Sequence, residues 1–162
     1  MSEAGNKHIH SDADSREYVT VEVAGQLFGI EVIKIHDVFQ PQSLTRVPMA
    51  PPEVRGVLNL RGRIVTAIDA RQRLGLPAVE DQDHQIMAIG VEIDGESYGL
   101  IIDSVGEVLR LSLKDCEALP SNMDARWQEV SKGIYRLDDR LLIVLDIEKM
   151  LMIEEAATDR AA

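Results

Sequence analysis

Cysteine occurs once in this chain of 162 residues, at Cys116. A lone thiol closes no internal disulfide and builds no thiolate metal cage. Basic residues are also scarce: 17 Lys and Arg stand against 28 Asp and Glu, a formal net charge of −11. That balance argues against nucleic acid, which rewards a basic footprint, and against a polybasic membrane anchor. Long apolar runs are missing, since the longest in the patterned region, Leu141 to Leu145, is far too short to span a bilayer. Met1 to Glu17 is polar and holds no signal-peptide core. With an ordinary 45% of hydrophobic residues, the chain reads as a soluble cytoplasmic protein, one domain or two small ones sharing a core.

What is present is a pattern written twice. Val21-Glu-Val-Ala-Gly-Gln-Leu-Phe-Gly-Ile30 returns 70 residues later as Val91-Glu-Ile-Asp-Gly-Glu-Ser-Tyr-Gly-Leu100. In the same register Val32, Ile35 and Val38 meet Ile102, Val105 and Val108. A second block, Gly56 to Asp69, returns as Gly133 to Asp146, at an offset of 77. Two blocks repeated in the same order imply a duplicated structural unit, and a unit paired with its copy has a groove between the halves. Places where the copies differ are then the places to look for function.

Most local signals are those of strands. Tyr18 to Val23 alternates, with a turn at Ala24-Gly25 before Leu27 to Ile30; Ile86 to Ile93, Asp94-Gly95 and Tyr98 to Ile102 repeat that hairpin. Gly56 to Leu60 and Ile64 to Ile68 flank a tip at Arg61-Gly62, whose copy is Asp138-Asp139; Gly and Asp both tolerate the positive φ of tight turns. Short helices are expected at Ala70 to Leu74 and at Ile147 to Met152, and a loop at Pro48, Pro51 and Pro52. The fold expected is mainly β, two small barrels side by side. Residues 1–16 and 154–162 read as disordered tails around a domain over 17–153, divided near 80–85.

Few residues suggest catalysis. His8 and His10 make a His-x-His without further ligands nearby; His36 and His84 stand apart from any nucleophile motif. No Gly-rich phosphate loop leads into a helix. Asp69 and Asp146 are matched carboxylates, and each sits where a strand gives way to a helix, an N-cap position. Trp127, the single tryptophan, reads as core. The unusual set is Arg46, Arg55, Arg61, Arg63, Arg71 and Arg73, six arginines against Glu53 and Asp69 in one window of an acidic chain. A solvated face is the ordinary meaning of such a run. An Arg at a hairpin tip in only one copy also presents a guanidinium fork to a carboxylate-bearing partner. Ile35, Val38, Val105 and Val108 are core, or else line a groove that suits an apolar partner helix.

The stretch Arg46-Val-Pro-Met-Ala-Pro51, followed by Gly56-Val-Leu-Asn-Leu-Arg-Gly-Arg-Ile-Val-Thr-Ala-Ile-Asp-Ala-Arg71, resembles the CheW family of chemotaxis coupling proteins and the related regulatory domain of the kinase CheA. The resemblance runs from about Glu17 to Met152. Thr66 stands where the family usually has Pro, Ala70 where it has Leu, and Asp37 where it has Glu. The resemblance implies two SH3-like five-stranded β-barrels around a shared core and no catalysis; the lack of a ligand cluster or phosphate loop in the sequence adds the expectation of no metal and no cofactor. It implies a non-enzymatic adaptor that couples the helical hairpin tip of a chemoreceptor to the histidine kinase CheA, recruited from the cytoplasm to membrane receptor arrays. Carried over by position, the receptor-facing residues are Ile35, Asp37, Val38, Gly56, Asn59, Arg61 and Val108, and the kinase-facing ones Arg55, Ile86 and Met123. The same kind of adaptor in a pathway that does not control swimming, and a small-ligand-binding double barrel, are the competing readings.

Overall fold

The structure, a computed structural model, describes residues 14–79 and 85–153. His8, His10, His84 and the C-terminal segment 154–162 lie outside them. Ten strands are present among the described residues: β1 (Ser15–Val23), β2 (Gln26–Glu31), β3 (Asp37–Phe39), β4 (Val54–Leu60), β5 (Arg63–Asp69), β6 (Met87–Ile93), β7 (Glu96–Ile102), β8 (Ser104–Ser112), β9 (Ser131–Arg136) and β10 (Leu141–Leu145). Three short helices accompany them: α1 (Ala70–Arg73), α2 (Ala125–Val130) and α3 (Ile147–Leu151). β1 opens at Ser15, which faces Ser112 of β8, so the first residues of the sheet reach into the stretch expected to be tail.

The strands form two five-stranded sheets, ordered β8-β1-β2-β10-β9 and β3-β6-β7-β5-β4, the two SH3-like barrels. Each barrel is assembled from both sequence copies. The first takes the hairpin β1-β2 from copy one and β9-β10 from copy two; the second takes β6-β7 from copy two and β4-β5 from copy one. A cut near 80–85 therefore separates the copies without separating the barrels. The exchange is symmetric in register. β2 runs parallel to β10 with Gly29 opposite Val144, and β7 runs parallel to β5 with Gly99 opposite Ala67, the residue equivalent to Val144 under the repeat. Likewise Val108 lies opposite Val19, and Val38 opposite Ile89.

The two-residue period of a strand explains the core. Val19, Val21, Phe28 and Ile30 join Ile68, Ile89, Leu100 and Ile102 of the other barrel in one cluster. The residues between them face inward: Phe39, Leu58, Val65, Ala67, Ala88 and Ile101 fill one barrel, and Tyr18, Leu27, Tyr135, Leu142 and Val144 the other. Strands buried on both faces read as continuous apolar runs, which is why Leu141 to Leu145 shows no alternation. Burial of each large aliphatic side chain contributes about 1.5–3 kcal/mol, and the shared cluster makes each half of this duplicated chain dependent on the other. Trp127 belongs to it as well: its ring centroid lies 5.4 Å from that of Phe28, and its indole N–H donates to Leu74 O at 2.9 Å.

Tyr18 and Tyr135 place their hydroxyl oxygens 3.3 Å apart inside the first barrel. Burial pushes both phenols above their ordinary range, and for Tyr135 the hydrogen bond to Tyr18 adds to the effect. In the unfolded chain both ionise near pH 10, while the folded state holds their protons to higher pH, Tyr135 most strongly. The unfolded state then binds fewer protons, so stability present below pH 10 is lost as pH rises beyond it. We expect stability measured by urea unfolding to fall as pH rises above about 10, by up to about 1.4 kcal/mol per pH unit for Tyr135. Tyr135→Phe flattens that slope; an equally steep slope in this variant assigns the alkaline loss to other groups.

Candidate functional site

Three hairpins turn on two residues that both have positive φ: Ala24-Gly25, Arg61-Gly62 and Asp94-Gly95. This is the turn whose twist matches paired strands, and it favours Asn-Gly, Asp-Gly or Gly-Gly. Arg61, with φ 54°, takes a conformation that costs a side chain bearing a Cβ about 1 kcal/mol. Asn59 braces the turn by accepting a hydrogen bond from Gly62 N at 2.9 Å. The tip of the other copy matches in position only: Leu137 N donates to Arg140 O at 2.8 Å, as expected for a closed tip, yet neither Asp138 nor Asp139 has a positive φ. The tight left-handed turn expected in both copies is confined to the one that carries Arg61.

Arg61 donates to Asp37 Oδ2 at 2.7 Å with its own side chain 74% exposed, and Asp37 Oδ1 accepts from Val38 N at 2.8 Å. Val38 itself is exposed on β3, an edge strand. Beside this pair lies a concavity of about 240 Å³ that also includes Arg63, Glu92, His36 and Tyr98. Arg63 donates to Glu92 at 2.7 Å, and that hydrogen bond holds the Glu92 carboxyl below its usual range. Glu92 was not singled out from the sequence and Arg63 only as one of the arginine run, although the repeat marks the pair: Arg140 and Glu22 occupy the equivalent positions. Every lining residue belongs to the second barrel or the segment leading into β3, so this concavity sits on one barrel rather than between the two. Its lining mixes charge with apolar surface, unlike the apolar groove expected. Its volume falls below the roughly 300–1,000 Å³ of small-molecule sites.

The other expected site residues scatter. Gly56 is buried in β4 at a bulge, with φ 149°, close against the backbone of Thr45. Ile35 and Val105 pack on the shared core, while Val108 is exposed on β8 of the first barrel. Arg55 is bonded to Asp69 at 3.1 Å; Ile86 packs against the Phe39 and Leu58 cluster; Met123 packs on the shared core. Ile86 is half-buried, so Ile86→Asp places a carboxylate among apolar neighbours as well as altering the surface.

Asp69 Oδ1 accepts from Arg71 N at 2.9 Å and from Gln72 N at 3.4 Å, capping α1, and Asp146 accepts from Lys149 N at 3.3 Å, capping α3. Both carboxylates serve their helices, as their positions in the sequence suggested. The arginine run also resolves into separate structural tasks. Arg71 forms two hydrogen bonds to Asp103, at 3.1 and 2.6 Å, and Asp103 also accepts from Ala24 N in the other barrel. Arg73 donates to the carbonyls of Lys149 and Met150 at the end of α3. Arg61 remains the one in the run that combines a hairpin tip, an exposed side chain and an unfavourable backbone.

The fold is a duplicated pair of barrels whose copies differ at one tip by an exposed cation on a costly turn. Residues 17–155 match the CheW-like domain, and the chain belongs to that family. It is 30% identical to the chemotaxis protein CheW of Klebsiella aerogenes over 142 residues, 88% of this chain and 85% of that one. It is 28% identical to the chemotaxis protein CheW of Helicobacter pylori over 148 residues, 91% and 88% of the two chains. Among solved structures, the scaffolding protein TtCheW from Thermoanaerobacter tengcongensis superposes with a TM-score of 0.75 at 28% identity, covering 86% of this chain and 94% of that one. Among the described residues no helix is long and apolar enough to cross a membrane.

Proposed function

We propose that this protein is a non-enzymatic adaptor that couples chemoreceptors to the histidine kinase CheA, working at the cytoplasmic face of membrane receptor arrays. The observation that carries the reading is Arg61, a cation kept at a turn position that favours Asn or Gly, exposed and within 2.7 Å of Asp37. An Arg kept at a strained position where Asn or Gly would relieve the strain points to work done by the side chain. Asp37, Val38, Asn59 and Arg61 form the receptor-facing centre, supported from behind by Gly56, with Ile35 and Val108 completing the receptor surface. The kinase's regulatory domain meets a separate surface that includes Arg55, Ile86 and Met123. The test is reconstitution of a receptor signalling fragment, CheA and this protein, with kinase autophosphorylation as the readout. Receptor-dependent phosphorylation should rise only when the protein is present. Equal phosphorylation with and without it overturns the reading.

A further inference from the structure

The symmetry that relates the barrels also relates two concavities. The second, of about 520 Å³, lies on the first barrel, with Glu22, Glu107, Asp139 and Arg140 around an aliphatic floor that includes Leu109 and Leu137. Under the repeat these are the counterparts of Glu92, Asp37, Gly62, Arg63, Phe39 and Leu60 around Arg61. The inner ion pair is kept in both: Arg63 meets Glu92 at 2.7 Å, and Arg140 meets Glu22 at 2.8 Å.

The outer pair is not kept. In the second barrel, the acid of the edge strand is neutralised by the protein's own Arg61. In the first, the edge-strand acid remains as Glu107, but the tip position that would supply its cation is Asp138. Among the described residues the carboxylates of Glu107, Asp138 and Asp139 make no hydrogen bond or ion pair, while the backbone of Glu107 is held in place by Thr20 Oγ1, which donates to Glu107 O at 2.7 Å. One arginine therefore stands against three carboxylates in the lining, Glu22, Glu107 and Asp139, with Asp138 next to them in the tip, where the first concavity sets two arginines against two.

An aliphatic floor with an unneutralised acidic rim selects its occupant by charge complementarity. We propose that the second concavity docks an arginine-bearing segment of a partner protein, whose guanidinium takes the place that Arg61 fills in the other barrel. Carboxylates carried by an edge strand and a hairpin tip around one concavity suit the planar fork better than a point charge.

The full chain is titrated with a blocked leucine-rich peptide carrying two arginines, and with matching peptides bearing citrulline or lysine instead, followed by amide chemical shifts. Shifts should concentrate at Glu107, Leu109, Asp138 and Asp139, disappear with citrulline and weaken with lysine. The double variant Glu107→Gln, Asp138→Asn should bind the arginine peptide about tenfold more weakly. A second variant, Asp138→Arg, supplies the cation from the protein itself and should block the peptide with an unchanged melting temperature. Undiminished binding by either variant, equal binding of the lysine peptide, or shifts spread evenly over the acidic surface overturns the proposal.

Discussion

Arg61→Asn is expected to abolish receptor coupling while leaving the protein at least as stable as before, within about 1 kcal/mol. Asn followed by Gly62 makes an Asn-Gly turn, the pair best suited to two residues of positive φ. Relief at the backbone is worth on the order of 0.5–1 kcal/mol, and the exposed ion pair to Asp37 that is lost contributes about 0–1 kcal/mol. The two nearly cancel. Binding has no such compensation. If the guanidinium is the anchor for the receptor's carboxylates, its removal costs about 2 kcal/mol or more, roughly thirtyfold in affinity. Arg61→Glu should be worse for binding, because it sets a second carboxylate against Asp37. Receptor pull-down, kinase pull-down and a melting curve on the same variant separate the outcomes. Receptor loss with kinase binding and stability retained assigns Arg61 to the receptor surface; full receptor affinity in Arg61→Asn removes it.

Gly56→Ala should also lose coupling, but by a different route. An added Cβ would stand 2.5 Å from Thr45 O and 3.0 Å from Thr45 C, both backbone atoms. Thr45 cannot retreat freely, since it exchanges two 2.8 Å hydrogen bonds with Val57. The φ of 149° is itself a conformation that residues with a side chain rarely adopt. Together these place the substitution among the exceptional ones, at on the order of 4 kcal/mol. A family-based reading places Gly56 on the receptor face, whereas its burial puts it in the scaffold behind Arg61. Urea unfolding decides the matter. The midpoint should drop sharply, and receptor binding should fall in proportion to the folded fraction. An unchanged midpoint with receptor binding lost would return Gly56 to the interface.

Much of the local structure was legible because its causes are local. The turns at Ala24-Gly25, Arg61-Gly62 and Asp94-Gly95 are each marked by a Gly that tolerates positive φ, and the caps at Asp69 and Asp146 act within three residues of themselves. The repeat exposed the pseudo-two-fold and, at Arg61 against Asp138, the place where it breaks. Helix α2 went unread: Asp124, which caps it by accepting from Arg126 N at 2.8 Å, sits in a polar stretch with no apolar period to mark a helix. The arginine run misled for a related reason. Charge counted along the chain cannot show that Asp103, 32 residues from Arg71, completes an ion pair with it.

The sequence by itself determined that the chain is a duplicated, turn-rich β protein and which hairpin tip bears an unmatched cation. Only the tertiary structure decided which strands pair. A period-two pattern assigns faces, but it does not name a partner. Because the copies share that pattern, β2 presents an edge that suits β5 as well as β10. The fold settles the choice by joining each first hairpin to the second hairpin of the other copy, which buries both faces of the central strands in barrel interiors and in the shared cluster. That long-range exchange also sets Asp37 of one copy against Gly90 of the other on β6, and so carries it to the tip of Arg61.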